Sequence, residues 1–136
     1  MVEFQKRGLP YAHVHLTLDA ADKIYSARHV DATYCAKIPN KGANLELYDI
    51  VVNNIIYRPY SEQYNPNAPC MQHGKCSKRF PKSFCEETIR EEGKYPMYCC
   101  RDDGREALKP CKRQGAPIAL NNCWVVPYNP YLSKEI

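Results

Sequence analysis

The feature that most limits the fold is an alternating ribbon at the start of the chain. Residues 2–5 alternate apolar and polar side chains, and residues 11–18 do so again. Gly8 and Pro10 between them supply the punctuation of a tight reversal. Alternation at period two specifies strands, one face turned to a core and the other to solvent. Ala12, Val14, Leu16 and Leu18 share one face, and Tyr11, His13, His15 and Thr17 share the other. Two imidazoles two residues apart point the same way and can share one metal ion, histidine being the commonest metal ligand. Gln5, and Glu3 beside it, are placed on the neighbouring strand to add an oxygen ligand for a hard divalent cation. The same pattern also describes a half-exposed strand carrying two solvated histidines.

Beyond the ribbon, Asp19 caps a predicted short helix over residues 20–26. Residues 30–38 read as extended and stop before Pro39. Asn44 caps a second predicted helix over residues 45–56, with Tyr48, Val51, Val52 and Ile55 as its apolar stripe. Residues 57–69 contain three prolines and read as a loop. Two strands follow, over 86–90 and 95–101, joined through Glu91-Glu92-Gly93-Lys94. Asp102-Asp103-Gly104 is a turn that favours a hairpin. Residues 108–119, with Pro110, Gly115 and Pro117, read as irregular, and residues 122–126 as a last strand. Trp124 either stacks on a base or fills the core, where tryptophan is mostly found. The expectation is an α+β fold: a partial antiparallel sheet, two short helices and a cysteine-containing irregular insert, in one domain over residues 1–136.

Charge and cysteine content bear on partners. The formal net charge of +4, from 19 basic and 15 acidic residues, is modest; only clustering would argue for nucleic acid. Clustering occurs at Lys75, Lys78, Arg79 and Lys82, with Phe80 and Phe84 interleaved. Cations among aromatics suit a groove for single strands, where phosphates meet charge and bases stack; they also suit a solvated basic loop. Lys6 and Arg7 add charge at the ribbon turn. No apolar run reaches membrane length, and the charged first residues carry no apolar export segment, so the eight cysteines read as thiols or metal ligands in a chain that is not secreted. Cys70, His73 and Cys76, with Cys85 as a fourth, form a candidate zinc set, although their spacing is not that of a two-by-two knuckle. A phosphate-binding Gly-x-x-x-x-Gly-Lys-Ser/Thr loop is missing, which excludes a helicase motor from this segment.

Four blocks carry a resemblance: Glu3-Phe4-Gln5-Lys6-Arg7-Gly8-Leu9-Pro10, Gly74-Lys75-Cys76-Ser77-Lys78-Arg79-Phe80-Pro81-Lys82, Arg101-Asp102-Asp103-Gly104, and Trp124-Val125-Val126-Pro127-Tyr128-Asn129-Pro130-Tyr131-Leu132. In this order they resemble the Helitron transposase family, in its Rep or "helicase-like" N-terminal region. The resemblance implies an HUH endonuclease that acts in the nucleus, the cytoplasm being the alternative. Two histidines would hold Mg²⁺ or Mn²⁺ against a phosphate of single-stranded DNA, and a tyrosine would attack it. It also implies partners: transposon-end DNA, and the rest of the transposase with its helicase motor.

The resemblance further implies that this copy is altered. The family's histidine pair falls at positions 11 and 13, where this chain has Tyr11 and His13. A substitute pair of His13 and His15 would move the metal roughly 6–7 Å along the strand, against a catalytic tolerance near ~1 Å. The nucleophilic tyrosines are expected on a helix beyond Ile136, and part of the domain before Met1. Tyr128 and Tyr131 flank Pro130 in an extended stretch and are expected to pack at a strand end. Cys99, Cys100 and Cys123 stand where the family leads us to expect arginine, Tyr57 for histidine, Tyr60 for cysteine and Arg58 for glycine. Each is one C-to-T or G-to-A transition away. The expectation is therefore a nuclease-incompetent Rep fragment that binds DNA more weakly than an intact domain; the alternatives are a small zinc-assisted nucleic-acid-binding module and a non-functional relic.

Overall fold

The opening ribbon forms only at its start: β1 (Val2–Phe4) pairs antiparallel with β2 (Pro10–Ala12), Glu3 lying opposite Tyr11, whereas residues 15–18, expected to continue the second strand, lie in no strand. The computed structural model describes residues 2–4, 10–12, 15–57, 64–111 and 115–135, the first two stretches as backbone alone. Gln5, Lys6, Arg7 and His13 lie outside the described residues.

The first helix is displaced from its expected place. The Asp19 carbonyl closes only a turn, accepting from the N–H of Asp22 at 3.0 Å. Ala20 and Ala21 are exposed there and give a helix no apolar face to bury. Helix α1 (Ala27–Thr33) starts instead at Ser26, whose hydroxyl accepts from the His29 N–H at 3.3 Å, and it buries Val30. Only from Cys35 does the chain run extended, pairing with Tyr128 through hydrogen bonds of 2.8 and 2.9 Å, with Ala36 and Ile38 buried.

The second helix has the expected limits and cap. The Asn44 side chain accepts from the Leu47 N–H at 3.1 Å. Helix α2 (Leu45–Ile50) then widens into a π turn (Val51–Ile55). Val51 is fully buried; Tyr48, Val52 and Ile55 pack against the same cluster.

The strands of the second half differ from expectation. Residues 86–101 pair only at two isolated points, Cys85 with Cys100 and Ile89 with Met97. Between them the Thr88 hydroxyl takes the Cys99 N–H at 2.9 Å and donates to the Asp31 carboxylate, so a side chain replaces a ladder bond. The Asp102–Gly104 turn does not close a hairpin. Strand β5 (Glu106–Lys109) pairs instead with β6 (Ile118–Asn121), the two overlapping the ends of the stretch over 108–119 expected to be irregular, with Ala107 opposite Leu120. Their buried residues alternate, so burial on one face outweighs the flanking prolines. Residues 122–124, expected as a strand, form a 3₁₀ turn (Asn122–Trp124), because the Asn121 side chain caps the Cys123 N–H at 3.1 Å. A short hairpin, β3 (Met71–Gln72) and β4 (Lys75–Cys76), and a last helix, α3 (Leu132–Glu135), complete the described elements. Tyr128 packs as expected; Tyr131 does not, being 71% exposed in the turn that enters α3.

The fold is thus mixed α and β, with three two-stranded antiparallel ribbons among the described residues in place of one partial sheet. Ile38, Leu47, Val51 and Ile56 pack with Leu120, Cys123, Trp124, Val125 and Tyr128 in one core cluster. Asn122 ties the segments together. Its carbonyl accepts from the Ile38 N–H at 2.8 Å, and its amide donates to the Arg101 carbonyl and to Asp103 Oδ1, both at 2.9 Å. Among the described residues, no helix is long and apolar enough to cross a membrane.

Candidate nucleic-acid interface

The basic cluster owes its shape to two turns. Pairing of Gln72 with Lys75 leaves His73 and Gly74 as a two-residue loop, with φ of 51° and 76°. Positive φ at both central residues is the hairpin turn that matches strand twist. A second turn follows, the Arg79 N–H reaching the Cys76 carbonyl at 2.9 Å. Arg79 itself has φ of 60°, a left-handed conformation costing a non-glycine residue roughly 1–2 kcal/mol. The Lys82 N–H then donates to the Cys123 carbonyl at 2.8 Å, which ties this loop to the core.

These turns form one wall of a cleft of about 940 Å³. Lys75, Arg79 and Lys82 line it, with Phe80 between them. The opposite wall is Tyr95, Pro96, Met97 and Tyr98, and Cys100 and Asn122 also line it. Among the described residues, no carboxylate lines the cleft. Among the described residues, none of Lys75, Arg79 and Lys82 is in an ion pair. The Lys82 ammonium lies 5.0 Å from the Phe80 ring centre, and Phe80 stacks on Tyr57 with centroids 4.3 Å apart and planes 11° apart. Tyr98 meets Tyr34 edge to face at 6.0 Å, which fixes its ring. Burial, then the nearby Tyr34 hydroxyl, push the Tyr98 pKa up, so it remains a neutral ring. Tyr95 is 97% exposed.

Of the residues singled out from sequence for nucleic acid, the structure therefore gathers Lys75, Arg79 and Lys82. Lys78 is exposed but does not line the cleft, and Lys6 and Arg7 lie outside the described residues. The opposite wall was missed. Tyr95 and Tyr98 were read as ordinary strand residues; the signal was an aromatic-rich run, Tyr-Pro-Met-Tyr, after a glycine turn.

The metal candidates fare differently. His15 is exposed in an irregular stretch, and its expected companions His13 and Gln5 are outside the described residues. Cys70 and Cys76 come together with Tyr57, whose hydroxyl is 3.9 Å from the Cys76 sulfur and also hydrogen-bonds with Cys70. Tyr57 is the position where the family resemblance expects histidine. The Cys70 hydrogen bond, then burial and Cys76, raise the Tyr57 pKa well above the usual phenol range. Burial works against charge on Cys76, but the N–H groups of Phe80 and Lys78 and the Tyr57 hydroxyl outweigh it and lower its pKa. His73 is exposed at the hairpin tip, and the Cys85 thiol is turned to the Glu87 carbonyl at 2.8 Å. The four zinc candidates do not assemble as a set: among the described residues, no three or more His, Cys, Asp or Glu side chains converge to hold a metal.

No protein-family model matches the chain, and no curated protein is similar to it.

Proposed function

We propose that this chain binds single-stranded nucleic acid in the cleft, as part of a Helitron-type Rep domain, the transposon-end DNA strand being the natural ligand in the nucleus. The observation that carries the reading is the cleft lining: among the described residues, three cations, no carboxylate and aromatic rings on both walls. Phosphates would lie along Lys75, Arg79 and Lys82, while unpaired bases stack on Tyr95 and Tyr98. Binding is the function assigned. Nicking with Mg²⁺ or Mn²⁺ at His13, His15 and Gln5 belongs to the family resemblance, and Tyr11 at the expected histidine position argues against it here. In the same reading the rest of the transposase, with its helicase motor, acts on the strand this cleft holds.

A salt titration of binding to fluorescent oligo-dT, followed by anisotropy, tests this. Three engaged cations give a slope of log K against log salt of about −2, at ~0.7 per phosphate for single strands. Replacing Arg79 and Lys82 with alanine should shrink that slope by more than half. Binding without salt dependence, or unchanged in the double variant, would overturn the proposal.

A further inference from the structure

All eight cysteines are free thiols, but their surroundings differ. Cys35, Cys85 and Cys99 each turn their sulfur to a main-chain carbonyl, of Lys37, Glu87 and Glu86. Cys100 and Cys123 are 4% and 6% exposed and packed in the core cluster, Cys100 only bordering the cleft. Cys111 is half-buried, packed against the core cluster. Cys70 and Cys76 are different. They flank the β3–β4 hairpin, whose register sets Met71 against Cys76, and the Cys70 carbonyl accepts the Ser77 N–H at 2.7 Å. Both side chains face the Tyr57 hydroxyl, which lies 3.9 Å from the Cys76 sulfur. Both are half-buried, and Cys76 lines the open cleft. Two thiols held side by side, with no third His, Cys, Asp or Glu side chain among the described residues converging on them, are placed to exchange with a disulfide.

We infer that Cys70 and Cys76 form a redox-active dithiol that a low-molecular-weight disulfide, such as oxidised glutathione, converts to an intramolecular bond. Cys76 is the attacking residue, since of the two it is the one that lines the cleft. Its thiolate bonds to one sulfur of the reagent, breaking the S–S bond and releasing one glutathione thiolate. Cys70 then gives up its proton, and its sulfur attacks the Cys76 sulfur and expels the second glutathione thiolate. Two protein thiols are oxidised by two electrons, one glutathione disulfide is reduced, and the two released thiolates take up the two protons.

The test is thiol mapping on the native chain. The protein is incubated with oxidised glutathione, quenched in acid, alkylated and digested with trypsin, which cuts after Lys75 and so places the two cysteines on separate peptides. The expected result is the loss of two alkylatable thiols of the eight and a cross-link joining the Cys70 and Cys76 peptides. In Cys70→Ser the reaction should stop at a glutathione adduct on Cys76. Full alkylation of both residues after treatment, or cross-links that pair other cysteines, would overturn the inference; the wild-type map decides even if the variant fails to fold.

Discussion

Single side chains that satisfy several main-chain and side-chain groups at once set the stability of this fold, and Asn122 is the clearest case. It is 2% exposed and joins the extended segment at Ile38 to the turn at Arg101 and Asp103. Asn122→Ala leaves buried groups unpaired and should cost about 1–3 kcal/mol for each one that water cannot reach, read as a lower urea midpoint with unchanged slope. Asn122→Asp should be worse at neutral pH, because a carboxylate would then face the Arg101 carbonyl and the Asp103 carboxylate. The buried thiols predict a second effect. Burial, with Cys123 beside it, pushes the Cys100 thiol up to about 12. The folded chain holds that proton more tightly than the unfolded chain, so stability is full below the ordinary thiol range and falls as pH climbs towards 12. Burial raises Tyr128 as well, extending the loss to higher pH. Urea unfolding between about pH 8 and pH 11 should therefore show falling stability, and Cys100→Ala should flatten that fall while lowering stability at pH 8.

At the scale of elements, what could be read from sequence was what local chemistry decides. Asn44 before an apolar stripe specified the α2 start, because its side chain can satisfy an N–H that no helical carbonyl reaches. The prediction is that Asn44→Ala lowers stability by about 1 kcal/mol and lowers helical circular dichroism near the midpoint, with cleft binding unchanged. What escaped the sequence was what distant partners decide. Ser26 and Asp19 are both good caps, and only Val30, buried against the rest, selects Ser26. Thr88 reads as a strand residue until its hydroxyl is seen bridging Asp31 and the Cys99 N–H. Asn121 caps a 3₁₀ turn where the sequence reads as a last strand. The basic wall of the cleft was legible because its cations are close in sequence; the aromatic wall was not, because only the packing of residues 85–100 against the core brings it opposite.

For the molecule as a whole, the two walls separate two forces that a single affinity mixes. Charge on the Lys75–Arg79–Lys82 wall acts through released counterions and is read in the salt slope. Stacking on the opposite wall is sequence-tolerant and nearly salt-independent, worth about 1–3 kcal/mol per base. Tyr95 isolates the second force, since at 97% exposure it holds nothing else in place. Tyr95→Ala should weaken oligo-dT binding by roughly 5- to 150-fold while leaving the salt slope and the thermal midpoint where they were. Duplex DNA, whose bases are already stacked and cannot reach the ring, should bind more weakly than the single strand and respond little to this substitution. A slope that falls with Tyr95→Ala, or a duplex that suffers equally, would mean that the ring orders the basic wall and does not receive a base.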